Sequence, residues 1–411
     1  MSIKKTTLRN YARLIVRMGV NVQKGQEVII RAEFDQPEFI RMVIEECYKA
    51  GAKKVTVDWQ DQLTEKVHYK YQTAKTLGTL EDWEIEKLKL SVDRLPVMIY
   101  IMSEDPDGLR GIDQEKVAEA QKMRYPIIKP FRDQKENKYQ WCIAAVPGRT
   151  WAKKVFPGIR TCAAEQKLWE TILYTARADG DDPIAAWKAH NEDLHRRSDY
   201  LNSLSIRELH YTSANGTDFR IGLIPDAIFM GGSEHALGSN IEYNPNMPSE
   251  EIFTTPMRGN AEGTVVSTRP LSYRGELIEN FTITFREGKA VECTAEKNED
   301  LLRSMLSMDD GAAYLGECAL VPYDSPICNS GVTFYNTLFD ENACCHLALG
   351  FGFTNCLRNY EQYTLEECRE KGINDSIIHE DFMIGSPDLS IDAITADGKT
   401  VPIFRDGNWA F

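Results

Sequence analysis

Two hydrophobic periods alternate over the first 150 residues. GQEVIIRA is a short apolar run bounded by polar residues and reads as a buried strand. In DQPEFIRMVIEECYKAG, Ile40, Val43, Ile44 and Cys47 recur at helical spacing. Pro37 suits the first turn of that helix, where a missing N–H costs nothing, and Gly51 suits its end. KKVTVDW predicts the next strand, with Val55, Val57 and Trp59 on one side. PVMIYIMS (Pro96 to Ser103) and WCIAAVP (Trp141 to Pro147) are two further apolar runs. Ahead of all of these, Leu8, Tyr11, Ile15 and Met18 fall on one helical face. Strand and helix in alternation predict a parallel sheet with covering helices.

Helices are expected over Ala163 to Ala178, where Trp169, Ile172, Leu173 and Ala176 form a stripe, and over Pro183 to Leu204. Near residue 205 the period changes from helical to alternating. LHYTSANGTDFRIGL, ENFTITFREGKAVECTAE and LSIDAITADGKTVPIF each read as a hairpin, turning at Asn215-Gly216, Glu287-Gly288 and Asp397-Gly398. One helix is expected from Glu299 to Met308. The 411 residues exceed one ordinary core. The expected architecture is an α/β domain with a parallel sheet over 1–204, then a mainly antiparallel β (α+β) domain over 205–411. The boundary is a change of period, with no spacer.

Composition narrows the classes. A net charge of −14 disfavours nucleic-acid partners, which require a positive footprint. No apolar run reaches the roughly 18 residues of a membrane span, and no signal peptide is recognisable at the start. Ten scattered cysteines without a C-x-x-C pair predict reduced thiols in a cytoplasmic protein. No glycine-rich phosphate loop follows any predicted strand, so nucleotide binding lacks its signature.

Histidine is scarce, and only His346 and His379 sit in apolar, glycine-flanked surroundings with acids nearby. In SIIHEDFMIGS an extended chain would aim His379 and Asp381 to one side and Glu380 to the other. Glu317 lies between a glycine and an apolar run, Glu250 and Glu251 follow a proline-rich turn, and Asp340 and Glu341 precede CCHLALG. A buried carboxylate is costly unless it meets a hydrogen-bonded partner, a cation or a metal. Each acid taken alone could be a solvated loop-edge group, and His379 with Asp381 a structural ion pair. Together, two imidazoles and several carboxylates make a suitable shell for zinc, cobalt or manganese. Their dispersed spacing leaves that choice open.

Four segments carry a resemblance: N-x-P-S-E-E-I-F-T-T-P around Glu251, G-E-x-A-L-V-P around Glu317, T-L-F-D-E-N-A-x-x-H-L-A-L-G ending near His346, and H-x-D-x-M-I-G-S from His379. With WAKKVFPG and DDPIAAWKAHN earlier in the chain, they resemble, in order, the thermophilic-type metalloaminopeptidases of the aminopeptidase T and S family. The resemblance implies two divalent ions (Zn, Co or Mn) held by Glu251, Glu317, His346, His379 and Asp381, with Glu317 bridging. Glu250 and Glu341 become candidates for outer-shell or proton-transfer roles. It further implies a homodimer acting on peptides with a free N-terminus. Relatives generally carry a tyrosine seven residues after the H-L-A-L-G histidine, whereas this chain has Phe353. A phenyl ring cannot donate to an oxyanion, and losing such a donor costs about 2.7–4 kcal/mol. Tyr335 and Tyr360 are candidates to supply the missing hydroxyl.

The expected function is therefore metal-dependent removal of N-terminal residues from peptides. An amide hydrolase of different substrate, or a weakly active aminopeptidase homologue, is the alternative that Phe353 raises. A non-catalytic binding protein comes last, since it leaves the motifs unexplained.

Overall fold

The computed structural model describes residues 3–411, which form two compact units. The first comprises the described residues up to His190 together with Ser233–Ser249; the second comprises Asn191–Gly232 and Glu250–Phe411. The division falls within the helix Pro183–Ser203, and segment 233–249 belongs to the first unit.

In the first unit, strands β1 (Glu27–Glu33), β2 (Lys54–Gln60), β3 (Val97–Met102) and β4 (Trp141–Ala145) form a wholly parallel sheet of order β2-β1-β3-β4. Helix α1 (Lys5–Leu14) runs on into a π-helical turn, Ile15–Gly19. Helix α2 (Pro37–Ala50) starts on its proline and stops at Gly51, whose φ of 103° is the left-handed conformation that a glycine adopts without strain. The strands are not buried on both faces. Val28, Ile30 and Ala32 alternate with the more accessible Ile29 and Arg31, and Val97, Ile99 and Ile101 with Met98 and Tyr100. Tyr11 anchors α1 by donating its hydroxyl to Ala145 O at 3.1 Å, and its ring packs on Phe39, which meets Trp169 edge-on. Helix α3 (Gln62–Tyr71) begins directly after β2, capped by Asp61.

The second unit is almost entirely antiparallel. Its large sheet has the order 271–273, 276–286, 256–266, 218–223, 206–212, 390–395, 400–405, 408–409, with 289–297 added on 276–286. The three hairpin turns lie where the dipeptides place them, and Gly216, Gly288 and Gly398 take φ of 106°, 78° and 79°. A second, four-stranded sheet runs 379–383, 346–350, 315–320, 252–254. Phe281 of the large sheet and Phe382 of the small one pack with ring centroids 5.8 Å apart. Every residue of 315–320 and 346–350 is buried, so any charged group there must find its partner inside the protein.

Candidate metal centre

The small sheet gathers the candidate side chains by register. Ala348 pairs with Glu317 on one side and Asp381 on the other, so these three residues form a row across the strands. His346 pairs with Ala319 and Met383 in the next row, on the same face as Ala348 because it is two residues away. His379 lies opposite Gly350, two residues from Asp381. Glu251 immediately precedes the strand Ile252–Thr254, which flanks 315–320. A methyl at position 348 leaves room between two carboxylates that a larger side chain would fill. Gly350 has φ of 100°, and a Cβ there would stand 2.1 Å from Ile378 O, so only glycine lets the adjacent strand close on His379.

The result is two overlapping groups. Donor atoms of Glu251, Glu317 and His346 lie within 4.8 Å of one another, as do those of Glu317, His379 and Asp381, so Glu317 belongs to both. His346 Nε2 is 3.2 Å from Glu251 Oε2, yet the pair is not aligned as a hydrogen bond. His379 Nε2 is 3.1 Å from Glu317 Oε2 and 3.6 Å from Asp381 Oδ1. Both His346 Nε2 and Asp381 Oδ1 are buried without a hydrogen-bond partner. Two donors about 2.0–2.1 Å from one ion at the tetrahedral angle stand about 3.3 Å apart. Orphaned, converging atoms at this spacing fit divalent cations, and mixed carboxylate and imidazole donors fit the zinc, cobalt or manganese class.

The charges are strongly perturbed. Burial pushes the Glu317 carboxyl up to about 7, aided by Glu251 and Asp381 and opposed by the hydrogen bond with His379. Burial also raises Glu341 well above the carboxylate range, with the charges of Asp381, Glu251 and Glu317 adding to it. For His346 burial works the other way, but Glu251 outweighs it, and with Asp381 and Glu317 raises the imidazole to about 9. His379 is raised well above its ordinary value, because Asp381 and Glu317 overcome its burial. Asp381 is held low: burial opposes its charge, but the nearby charge of His379, then that of His346 and the contact with Glu341, prevail. Without a metal, protons therefore serve as the counter-ions of this site.

An outer layer fixes the donors. His379 Nδ1 lies 2.7 Å from Phe351 O, and His346 Nδ1 lies 3.4 Å from Cys344 O, which turns both Nε2 atoms toward the carboxylates. Asn342, fully buried, accepts from Glu250 N at 2.7 Å and donates to Leu338 O at 2.9 Å and Glu341 Oε1 at 3.2 Å. Glu250 and Glu341 are both buried, and Glu341 hydrogen-bonds Asp381. Phe353 tilts its ring over His379 with centroids 4.8 Å apart and packs edge-on against Phe253. Its backbone is clamped by Thr255, whose Oγ1 accepts from Phe353 N at 2.8 Å. Tyr360 packs against the apolar cluster of Ile224, Leu357, Cys368 and Ile373. Tyr335, at φ 56°, sits on a loop whose flanking Phe334 and Asn336 N–H groups donate to Asp340. The thiol of Cys345 exchanges hydrogen bonds with Val321, and all ten cysteines are free.

Asn342, Ala348 and the carbonyl of Phe351 were not singled out from the sequence. The readable signal for Asn342 was a polar residue in an otherwise buried D-E-N-A-C-C turn. The other two have none, because a methyl and a backbone oxygen acquire their roles only from register.

The chain has full-length relatives among known proteins. The family described as thermophilic metalloprotease (M29) matches residues 4–409. Aminopeptidase AmpS of Bacillus subtilis (strain 168) is 44% identical over 406 residues, 98% of each chain. Aminopeptidase T of Thermus thermophilus is 38% identical over 410 residues, 100% of each. The solved structure of wild-type AmpT from Thermus thermophilus superposes with a TM-score of 0.89 at 37% identity, covering 99% of this chain and 100% of that one. A dioxygenase structure from Pseudomonas putida KT2440 shares the fold alone, with a TM-score of 0.54 at 13% identity over 99% of this chain and 98% of that one. Matching motifs, full-length identity and a common fold place this chain in the thermophilic metalloprotease family M29, a family of peptide-bond hydrolases.

Proposed function

We propose that the protein is an aminopeptidase that uses a pair of divalent ions to hydrolyse the first bond of peptides with a free N-terminus. The observation that carries the reading is the membership of Glu317 in both donor groups, which makes it the natural bridge between two ions. Glu251 and His346 would complete one site, and His379 and Asp381 the other. When bound, such ions polarise a carbonyl and make hydroxide available near neutral pH. The chain supplies the rest. Glu341, buried beside Asp381 with its carboxyl raised by that burial, is the acid we assign to the departing amine. Glu250, anchored through Asn342, adds to the negative field that draws the substrate's ammonium group. Phe353 offers a ring and no hydroxyl, so no donor to the oxyanion comes from that position. The family resemblance supports a homodimer, and ten free cysteines support a reducing, cytoplasmic setting. Among the described residues no helix is long and apolar enough to cross a membrane.

The test is metal content paired with a substrate panel. The reading expects about two ions per chain, loss of activity on chelation, recovery with Zn, Co or Mn, and no cleavage of N-acetylated peptides. One ion per chain, or equal cleavage of acetylated substrates, would overturn it. The phenyl ring over His379 favours one second reading, a hydrolase of other amides or a slow aminopeptidase. Two bound ions without turnover of any peptide or amino-acid amide would select that reading.

A further inference from the structure

The first unit carries a cavity that the metal centre does not use. It has a volume of about 380 Å³ and lies at the carboxyl ends of β1, β2 and β3. Its lining includes Arg31 and Glu33 of β1, Tyr100 and Met102 of β3, Glu104 just beyond β3, and Gln62 at the start of α3. The order β2-β1-β3-β4 means that the chain leaves β1 toward one neighbour and later returns to its other side. The crevice at such a reversal, beyond the strand carboxyl ends, is where open parallel sheets bind ligands.

The lining selects the ligand. Arg31 and Glu33 are two residues apart on one strand, so both charges project from one face. Arg31 spends one of its five donors on Gln60 Oε1 at 2.9 Å. Glu33 accepts only a long bond, 3.3 Å, from Gln62 N. Burial raises Glu33 to about 7, and the charges of Glu104, Asp35 and Asp61 add to that. Burial likewise raises Glu104, whose Oε2 accepts from Ser103 N at 2.9 Å, with Asp35 adding to the rise and the nearby Arg31 charge opposing it. Met102, Leu109 and Ile143, with Tyr100, give the walls an apolar character. A phosphate ligand is excluded by the carboxylates and by the missing glycine-rich turn. A metal cage is not formed, since among the described residues only the two groups of the metal centre converge within 4.8 Å.

We propose that this cavity binds a free α-amino acid with an apolar side chain, its ammonium group held by Glu33 and Glu104 and its carboxylate by Arg31. The volume lies within the range of small-ligand pockets. The inference stands apart from the metal-centre reading and is tested without metal. L-leucine is titrated calorimetrically into full-length, chelator-stripped protein, alongside leucinamide, which lacks the carboxylate, and 4-methylpentanoate, which lacks the ammonium group. Leucine should bind at one site per chain, and each analogue at least about tenfold more weakly. Arg31→Met and Glu33→Gln should each weaken leucine by a similar factor while leaving peptide hydrolysis by the metal-loaded variants unchanged. No saturable binding up to about 20 mM leucine, equal binding of an analogue, or wild-type affinity in both variants would overturn the assignment. The analogue series uses the unaltered chain, so a variant that fails to fold does not blunt the test.

Discussion

Loading the stripped protein with zinc or cobalt should expel at least about two protons per chain at pH 7. The count follows from the charges of the empty centre. Metal ligands bind as neutral imidazole and as carboxylate, so every proton held on them must leave. His346, raised to about 9, is protonated at pH 7, and His379 is raised well above its ordinary value, so these two sites give up one proton each. Glu317, raised to about 7, is about half protonated and adds a fraction. Glu341 is raised well above the carboxylate range by burial and by the charges of Asp381, Glu251 and Glu317, and it is not among the five proposed ligands, so the count of two leaves it out. The overall constant for loading both ions should then climb about a hundredfold per pH unit near neutrality, about tenfold per ion, and less steeply above pH 9, where His346 has already lost its proton. Calorimetry in buffers of different ionisation enthalpy reads the proton count as the slope of observed heat. A count below one would mean that the imidazoles are already neutral, and the account of the centre would fail.

The same groups set the stability of the stripped protein. His346 has a folded value above its unfolded 6.5, so its stabilisation is complete below pH 6.5 and disappears as the pH passes about 9. The shift corresponds to something on the order of 3 kcal/mol. Glu317 moves from 4.5 to about 7, so the folded chain binds more protons than the unfolded one between those values, and stability again falls as the pH rises. The low value of Asp381 acts with the opposite sign, but only below its ordinary 3.8. The melting temperature of metal-free protein should therefore decline from about pH 5 to pH 9, and bound metal should abolish or reverse the trend.

Asn342→Leu removes the side-chain acceptor of Glu250 N and the side-chain donor to Leu338 O; the loss of these two buried hydrogen bonds should cost roughly 2–4 kcal/mol in unfolding and lower metal affinity about 10–100-fold. Unchanged affinity in the calorimeter would show that the side chain does not position the centre. Phe353→Tyr should raise kcat at least about tenfold, with a ceiling near the 10²–10³ of an oxyanion donor; an unchanged rate would mean that the hydroxyl is supplied elsewhere. Gly350→Ala sets a methyl against Ile378 O at a φ of 100° and should destabilise by at least about 2 kcal/mol, read as a fall in melting temperature, with wild-type stability refuting the steric argument.

What could be read from the chain was mostly local. Asn215-Gly216 and Asp397-Gly398 state their turns because each glycine takes a left-handed φ, 106° and 79°, that few other residues tolerate. Pro37 and Gly51 bracket a helix for equally local reasons. The two-residue spacing of His379 and Asp381 tells which way they point once the segment is extended, and the strand His379–Met383 is extended. Neither spacing nor period could order the strands 379–383, 346–350, 315–320 and 252–254, because those pairings are non-local and leave no periodic trace. The membership of 233–249 in the first unit is hidden for the same reason.

That distinction has a physical consequence for the centre. Its donors come from three strands and from the residue just before a fourth, and four of the five have a small residue opposite on at least one side: Ala348 between Glu317 and Asp381, Gly350 beside His379, Ala319 beside His346. No local segment can assemble more than the His379–Asp381 pair, so the unfolded chain offers an ion at most a weak two-point site. Most of the free energy of ion binding therefore appears as free energy of folding for the second unit. The closely gathered carboxylates, which repel one another and hold borrowed protons in the stripped protein, are the local strain that bound ions relieve. Substituting a single ligand by an isosteric neutral group, as in Glu251→Gln, should consequently weaken ion binding while easing repulsion, so the stripped variant should melt no lower than the stripped parent at alkaline pH. If the stripped variant instead melts several degrees lower there, Glu251 stabilises the fold through its contact with His346, and the centre is an ion pair first and a metal site second.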